Sequence, residues 1–237
     1  MEQKPKVAVL LSGAGVYDGA EIQESVFALL ALEKHGAEAQ CVAPNIEQHH
    51  VINHLTGEEM PEKRNVLVEA ARIARGKIKS LSEVSPSEFD ALFMPGGFGT
   101  AKNFTKWAFE GAKGAILPEV ANFIRAMHQN RKPIAAVCMA PTVVAKALEG
   151  TGVKVKITVG TTQAASPYDI ESVNLGISET GAEAVACNVG EFALDAENLI
   201  VTSPCYMMEA SILEVFLGVE NTVIKLLQLC RSQIELV

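Results

Sequence analysis

The residue in this chain best placed to do chemistry is Cys138, in the run Lys132-Pro133-Ile134-Ala135-Ala136-Val137-Cys138-Met139-Ala140-Pro141-Thr142. A short apolar strand pattern passes there directly into a helical one, and the cysteine stands at the junction. A tight strand-to-helix turn pushes one side chain out above a parallel sheet. The free N–H groups of the following helix and the positive end of its dipole then face the sulfur. A thiol held this way is expected to have a lowered pKa and to act as a nucleophile. Cys41, Cys187, Cys205 and Cys230 lack that setting and read as small buried hydrophobes or surface thiols.

Glu21 opens the first helix after the first strand and is the expected partner of Cys138, donating a hydrogen bond to a thiolate or moving protons. A first-turn glutamate can equally serve only the helix dipole. Glu24 fits that second role as well as Glu21 does, and the sequence does not separate them. The backbone N–H groups of Gly97 and Met139, one from each flanking loop, are the expected oxyanion donors. A Cys-His hydrolase needs a histidine base. His128 is the last histidine and belongs to the helix before the Cys138 strand, at the far end of the sheet. A protease or amidase triad in its usual order is therefore not expected.

The elements that must position these groups follow a βα rhythm. Lys6–Leu11 reads as a buried strand, Ser12–Gly19 as a Gly-rich loop, and 20–35 as a helix with Ile22, Val26, Leu29, Leu30 and Glu33 at helical spacing. Gly36 ends that helix, and Glu38–Ala43 forms the second strand. The loop sequence G-A-G-V-Y-D-G does not match G-x-G-x-x-G and has no Walker lysine, so a nucleotide site is not expected. Residues 44–80 are an excursion containing an irregular stretch and a helix at about 64–75. His49, His50 and His54 lie in it without the carboxylate or cysteine spacing of a metal site, and no metal is expected. Arg64, Arg72 and Arg75 read as a solvated helix face.

Asp90–Met94 is the expected third core strand, leading into Pro95-Gly96-Gly97-Phe98-Gly99, whose glycines allow close backbone approach to a ligand. Helices are expected over 104–110, 117–129 and 141–148, a strand over 155–159, a helix over 170–180 and a strand over 199–202. Ser203-Pro204 is expected to cap a closing helix with Met208, Ile212, Phe216, Val219, Val223, Leu226 and Cys230 along one side. The alternation implies one α/β domain over 1–237, a doubly wound and mainly parallel sheet with helices on both faces. Glu21, Gly96, Gly97 and Cys138 then converge at the carboxyl ends of the strands.

Bulk properties narrow the class. The chain has 237 residues, 49% hydrophobic and 20% charged, with a formal net charge of −8. That charge argues against nucleic acid or an anionic membrane surface as a partner and suits a handler of small molecules. Five scattered cysteines without C-x-x-C spacing indicate reduced thiols, and no secretory or transit segment is evident, so a cytoplasmic location is expected.

Taken together, the motifs resemble the class I glutamine-amidotransferase-like superfamily in its PfpI/parkinsonism-associated deglycase branch. Within it they are most similar to the ElbB-type glyoxalase-like proteins. The resemblance rests on Leu11-Ser12-Gly13 through Val16-Tyr17-Asp18-Gly19 with Glu21-Ile22, and on Val51-Ile52-Asn53-His54-Leu55-Thr56-Gly57. It continues in Arg64-Asn65-Val66-Leu67 with Glu69–Ile73, in Pro95–Gly99 with Ala101-Lys102-Asn103, and in Cys138-Met139-Ala140-Pro141. Thr202-Ser203-Pro204 extends it weakly. The resemblance implies a flavodoxin-like fold, a homodimer, no cofactor, and a Cys138–Glu21 site lined by Gly96, Phe98 and Asn103. It also implies a weak glutathione-independent glyoxalase, a lyase converting a small dicarbonyl such as glyoxal to glycolate. More efficient glyoxalases of the superfamily carry a histidine after the cysteine, about where Thr161-Thr162 stand here, so efficient turnover is not expected. The alternative is a non-catalytic stress protein that senses oxidation through Cys138.

Overall fold

The computed structural model describes residues 4–234. Its main sheet contains β1 (Lys6–Leu10), β2 (Glu38–Ala43), β3 (Ile78–Ser80), β4 (Ala91–Met94), β5 (Ile134–Val137), β8 (Ala193–Asp195) and β9 (Ile200–Ser203). The order across it is β3-β2-β1-β4-β5-β9-β8, parallel except for the β8–β9 pair. A second parallel pair joins β6 (Lys156–Ile157) and β7 (Glu183–Ala184). The helices are α1 (Ile22–Lys34), α2 (Val66–Ile73), α3 (Trp107–Glu110), α4 (Pro118–Gln129), α5 (Pro141–Leu148), α6 (Ile170–Glu179) and α7 (Ile212–Ile234). This is the doubly wound α/β sheet that the βα rhythm implied, with the flavodoxin-like architecture that the resemblance implied.

The central strands are apolar throughout because helices cover both sides of them: Val7–Leu10, Ala91–Met94 and Ile134–Val137 are all buried. The chain builds outward from β1 to β3 in one direction and from β4 to β9 in the other. The order therefore reverses between β1 and β4, and the crevice above that reversal is where such sheets hold ligands. The loops after β1, β4 and β5 all open there.

Several expectations are corrected. Asp90–Met94 contributes the fourth strand in sequence, not the third, because the short edge strand β3 precedes it. Three residues at a sheet edge carry too little periodicity to be recognised, and the same holds for β7 and β8. The segment expected as a helix over 104–110 is a wide π turn, Thr100–Phe104, followed by the single-turn α3. Ser203-Pro204 caps no helix: Ser203 ends β9, a 3-10 turn follows over Cys205–Met207, and α7 starts at Ile212. Most important for the site, α1 faces the opposite way from its apolar periodicity. Ile22, Val26 and Leu30 are exposed, whereas Glu24, Ser25, Ala28, Ala31 and Leu32 are buried. Small residues let α1 lie close to the sheet and carry Glu24 inward.

Candidate active site

Val137 lies in register with Ser203 on the neighbouring strand, and the next residue, Cys138, leaves the sheet. Its N–H still donates to the Ser203 carbonyl at 2.9 Å, but its φ is +59°, a left-handed conformation that a non-glycine residue adopts only where its surroundings impose it. Pro141 at the start of α5 fixes the helical direction immediately afterwards. Strand, kink and helix thus hold the thiol at the crevice, where it is 5% exposed. The strand-to-helix elbow is present.

Gly96 forms the wall behind the thiol. A Cβ on it would stand 2.4 Å from Cys138 Cβ, 2.7 Å from Sγ and 2.9 Å from Glu24 Oε2, so only glycine fits between the two groups. Gly97, at φ +92°, directs its N–H toward the Cys138 sulfur. Glu24 is fully buried: one carboxyl oxygen accepts the Gly96 N–H at 2.9 Å, the other accepts the Tyr206 N–H at 3.3 Å, and the carboxyl and the Cys138 sulfur lie side by side over Gly96.

Glu24, not Glu21, therefore adjoins the thiol. Glu21 caps α1, its Oε2 accepting the Glu24 N–H at 2.6 Å, and its own N–H donates to the Gly96 carbonyl at 3.0 Å. Glu21 lines, with Tyr17, Gln23 and His54, an open cavity that adjoins the one over Cys138 across Val16, Tyr168 and Tyr206. The N-cap role places Glu21 at the helix end and turns the residue one helical turn on toward the sheet. The inward face of α1, marked by the small residues Ser25 and Ala28, was the signal available for choosing Glu24.

The electrostatics differ from the sequence expectation too. Burial pushes the Cys138 thiol well above its usual range; the Glu24 charge adds to this and the Gly97 N–H opposes it. Burial, reinforced by the Glu21 carboxylate, raises Glu24 to about 8, against the pull of the Gly96 and Tyr206 N–H groups. Two acids buried in contact resist a second charge, so the pair carries at most one and shares the remaining proton. The elbow's N–H groups do not outweigh desolvation.

The cavity over Cys138 has a volume of about 210 Å³ and is lined by Val16, Gly97, Phe98, Met139, Tyr168 and Tyr206, with Asp169 and Ser172 from the start of α6. Among the described residues, no Lys, Arg or His lines it. Tyr168 packs edge-on against Phe98, with ring centroids 5.7 Å apart, and burial raises its hydroxyl to about 12, so it remains a proton donor. Neither tyrosine nor Asp169 was singled out from the sequence, because each reaches the site from a segment far along the chain.

The other expected positions distribute as follows. Phe98 and Met139 line the cavity, and Gly96 backs it. Asn103 does not line it: its side chain donates to the Ser12 and Asp18 carbonyls at 2.9 and 3.0 Å and accepts from the His49 N–H at 2.9 Å, tying three loops together. His128 bonds Asn198 at 3.2 Å, away from the crevice. Thr161, buried, accepts the Gln163 N–H and stands outside the cavity lining. His50 and His54 approach Glu59 and Asp18, each at 3.9 Å. Among the described residues, no group of three or more His, Cys, Asp or Glu side chains is placed to hold a metal.

Comparison with known proteins agrees with this architecture. The model of the DJ-1/PfpI family matches residues 6–164. The chain is 40% identical over 226 residues to "Glutamine amidotransferase-like class 1 domain-containing protein 3, mitochondrial" of Homo sapiens, covering 94% of this chain and 83% of that protein. It is 39% identical over 228 residues to "ES1 protein homolog, mitochondrial" of Rattus norvegicus, covering 95% and 84%. The crystal structure of an isoprenoid biosynthesis protein with amidotransferase-like domain from Ehrlichia chaffeensis superposes with a TM-score of 0.86 at 36% identity, covering 95% of this chain and 99% of that one. Drosophila melanogaster DJ-1beta shares the fold, with a TM-score of 0.56 at 17% identity over 98% of both chains. On the family match and these relatives, this chain is a member of the DJ-1/PfpI family.

Proposed function

We propose that the protein is a cofactor-free, cysteine-dependent glyoxalase acting on small uncharged dicarbonyls, with glyoxal converted to glycolate. The observation carrying this reading is the strained Cys138, which lines a cavity of about 210 Å³ without a cationic side chain and has the buried Glu24 carboxyl beside it. A cavity of that kind offers no partner for the α-carboxylate of glutamine, which argues against an amidotransferase activity.

When the pair has lost one proton, Sγ adds to one carbonyl carbon. A C–S bond forms, and the oxygen takes the shared proton to give a hemithioacetal. The N–H groups of Gly97 and Met139 steady the oxygen while it is charged. Glu24, now a carboxylate, removes the hydrogen from that carbon as a proton, and its electron pair passes through an enediol to the second carbon. Glu24 returns the proton there, and the hydroxyl proton of the first carbon passes to the oxygen of the second, leaving a thioester. Water adds to the thioester, expels the thiolate and yields glycolate. One carbon is oxidised and the other reduced, with a net gain of one water, so no external electron acceptor is needed. The Tyr168 hydroxyl, protonated throughout, is placed to hydrogen-bond the substrate.

The protein is also proposed to act as a homodimer, because Ile22, Val26 and Leu30 form an exposed apolar stripe on α1 beside exposed Leu213 and Leu217 of α7. Five unpaired cysteines suit a reducing compartment. Cytoplasm is the proposed location; the human and rat relatives carry "mitochondrial" in their names, and the matrix would meet the same requirement. No helix among the described residues is long and apolar enough to cross a membrane.

The test is glycolate formation from glyoxal without glutathione, followed by NMR. Cys138→Ala should abolish it while leaving the melting temperature near that of the parent. Undiminished turnover in that variant would overturn the proposal.

A further inference from the structure

A second cavity, of about 450 Å³, lies between the 44–65 excursion and the π turn, and the site at Cys138 makes no use of it. Its apolar wall comes from Ile46, Phe104, Ile116 and Leu117, while His49, Lys102 and Lys106 line its other side. In a chain of net charge −8, two lysines and a histidine facing one cavity represent a local reversal of sign.

Three features set these groups apart from an ordinary solvated face. First, among the described residues neither Lys102 nor Lys106 forms an ion pair. Lys102 donates to the Tyr17 carbonyl at 2.8 Å, and Lys106 donates to His49 Nδ1 at 3.1 Å and to the Lys102 carbonyl at 3.3 Å. Each ammonium has three N–H donors, so both keep at least one free. Second, His49 Nδ1 accepts from Lys106, which leaves the proton of the neutral ring on Nε2 as a further donor. The ring packs against both His50 and Phe109, with centroids 4.5 and 4.6 Å away. Third, the acid on the cavity rim is already engaged: Glu47 is bound by Lys63 at 2.8 Å. Burial lowers Lys102, against the pull of Asp18 and Glu59, and burial together with the neighbouring Lys106 lowers His49, so the ring favours its neutral form.

The backbone supports the arrangement. The π turn ends with the Thr105 N–H reaching back to the Thr100 carbonyl at 3.1 Å, five residues earlier. Such wide turns recur at functional positions in helices. Asn103 fixes this one to the loops after β1 and to His49, so the cavity is preformed.

We infer that this cavity binds a small amphipathic anion, with its phosphate or carboxylate head on Lys102, Lys106 and His49 and its apolar body against Ile46, Ile116 and Leu117. The inference does not depend on the chemistry assigned to Cys138.

The test is an amide chemical-shift titration of the full chain with hexyl phosphate and hexanoate, using 1-hexanol and inorganic phosphate as controls. Saturable shifts centred on His49, Lys102 and Lys106 are expected, with half-saturation near 1 mM, about what a ligand of this size attains. Comparison of the two anions identifies the preferred head group. Lys106→Gln should weaken binding by about tenfold, the loss of one charge-assisted hydrogen bond. His49→Gln should weaken it less, and neither variant should alter glyoxal turnover. Equal binding of hexanol, unchanged affinity in Lys106→Gln, shifts centred on Phe98 and Tyr168, or no saturation would each overturn the inference.

Discussion

Glu21 and Glu24 differ by one helical turn in sequence and by their whole surroundings in the structure, so exchanging each for glutamine tests the site most sharply. In Glu24→Gln the group proposed to take and return protons is lost. General acid–base catalysis contributes ~10²–10⁴-fold, so kcat/KM should fall by that factor, roughly 3–5 kcal/mol of transition-state stabilisation. Stability should also change. Both Glu24 oxygens accept backbone N–H groups, from Gly96 and Tyr206. Glutamine offers one carbonyl oxygen and turns its amide N–H₂ toward the other donor, leaving a buried N–H unmatched at about 1–3 kcal/mol. In Glu21→Gln the amide oxygen can still cap the Glu24 N–H, now held at 2.6 Å. Only the charge at the helix end disappears, worth about 0.3–1 kcal/mol, and the Cys138 contacts remain. Turnover there should stay within about threefold, the factor that ~0.6 kcal/mol carries. The assay is glycolate production against pH, with urea unfolding in parallel. The parent profile should rise through a limb near 8, where the pair gives up its first proton, and that limb should disappear in Glu24→Gln. If Glu21→Gln lost as much activity as Glu24→Gln, or Glu24→Gln kept the limb, the reasoning would be refuted.

Other outcomes follow from the same geometry. Gly96→Ala would drive a methyl to 2.4 Å from Cys138 Cβ, so it should cost about 1–3 kcal/mol in overpacking and, by displacing Sγ, about 100-fold in turnover; parent-like activity would contradict the packing. Glu24 has its folded pKa raised to about 8 from an ordinary 4.5, so between those values the native state binds more protons than the unfolded chain. Stability from this group is therefore complete below pH 4.5 and declines toward pH 8, and urea midpoints should show a smaller decline in Glu24→Gln. Val26→Glu, in the exposed α1 stripe, should shift the sedimentation coefficient of the proposed dimer to that of a monomer; a parent that already sediments as a monomer, or an unshifted variant, would refute an interface on this stripe.

Much of this protein was legible in its sequence because the information is local. The alternation of apolar runs with helical patterns specifies a parallel sheet, since strands covered on both faces must be apolar throughout. The passage from Ile134–Val137 to Pro141 through Cys138 specifies the elbow, because a proline at the first helical position fixes where the turn must occur. The two glycines after Met94 mark a close backbone approach, and the structure shows that Gly96 is approached by Cys138 and Glu24 together.

What only the tertiary structure decided is non-local. The orientation of α1 was misleading, because its apolar stripe is exposed and its inward face is made of small residues and one buried carboxylate. Which glutamate meets the thiol depends on that rotation and on the Tyr206 N–H, supplied from the other end of the chain. The direction of the Cys138 shift was likewise out of reach: helix N–H groups are local, whereas desolvation depends on everything packed around the sulfur. Tyr168 and Asp169 reach the cavity only because α6 lies across the crevice, and His49 meets Lys106 only through the fold of the excursion. Sequence patterns determine the scaffold and the position of Cys138 at the elbow. The partner, the protonation state and the cavity walls are set by segments distant in the chain, whose proximity is a property of packing alone.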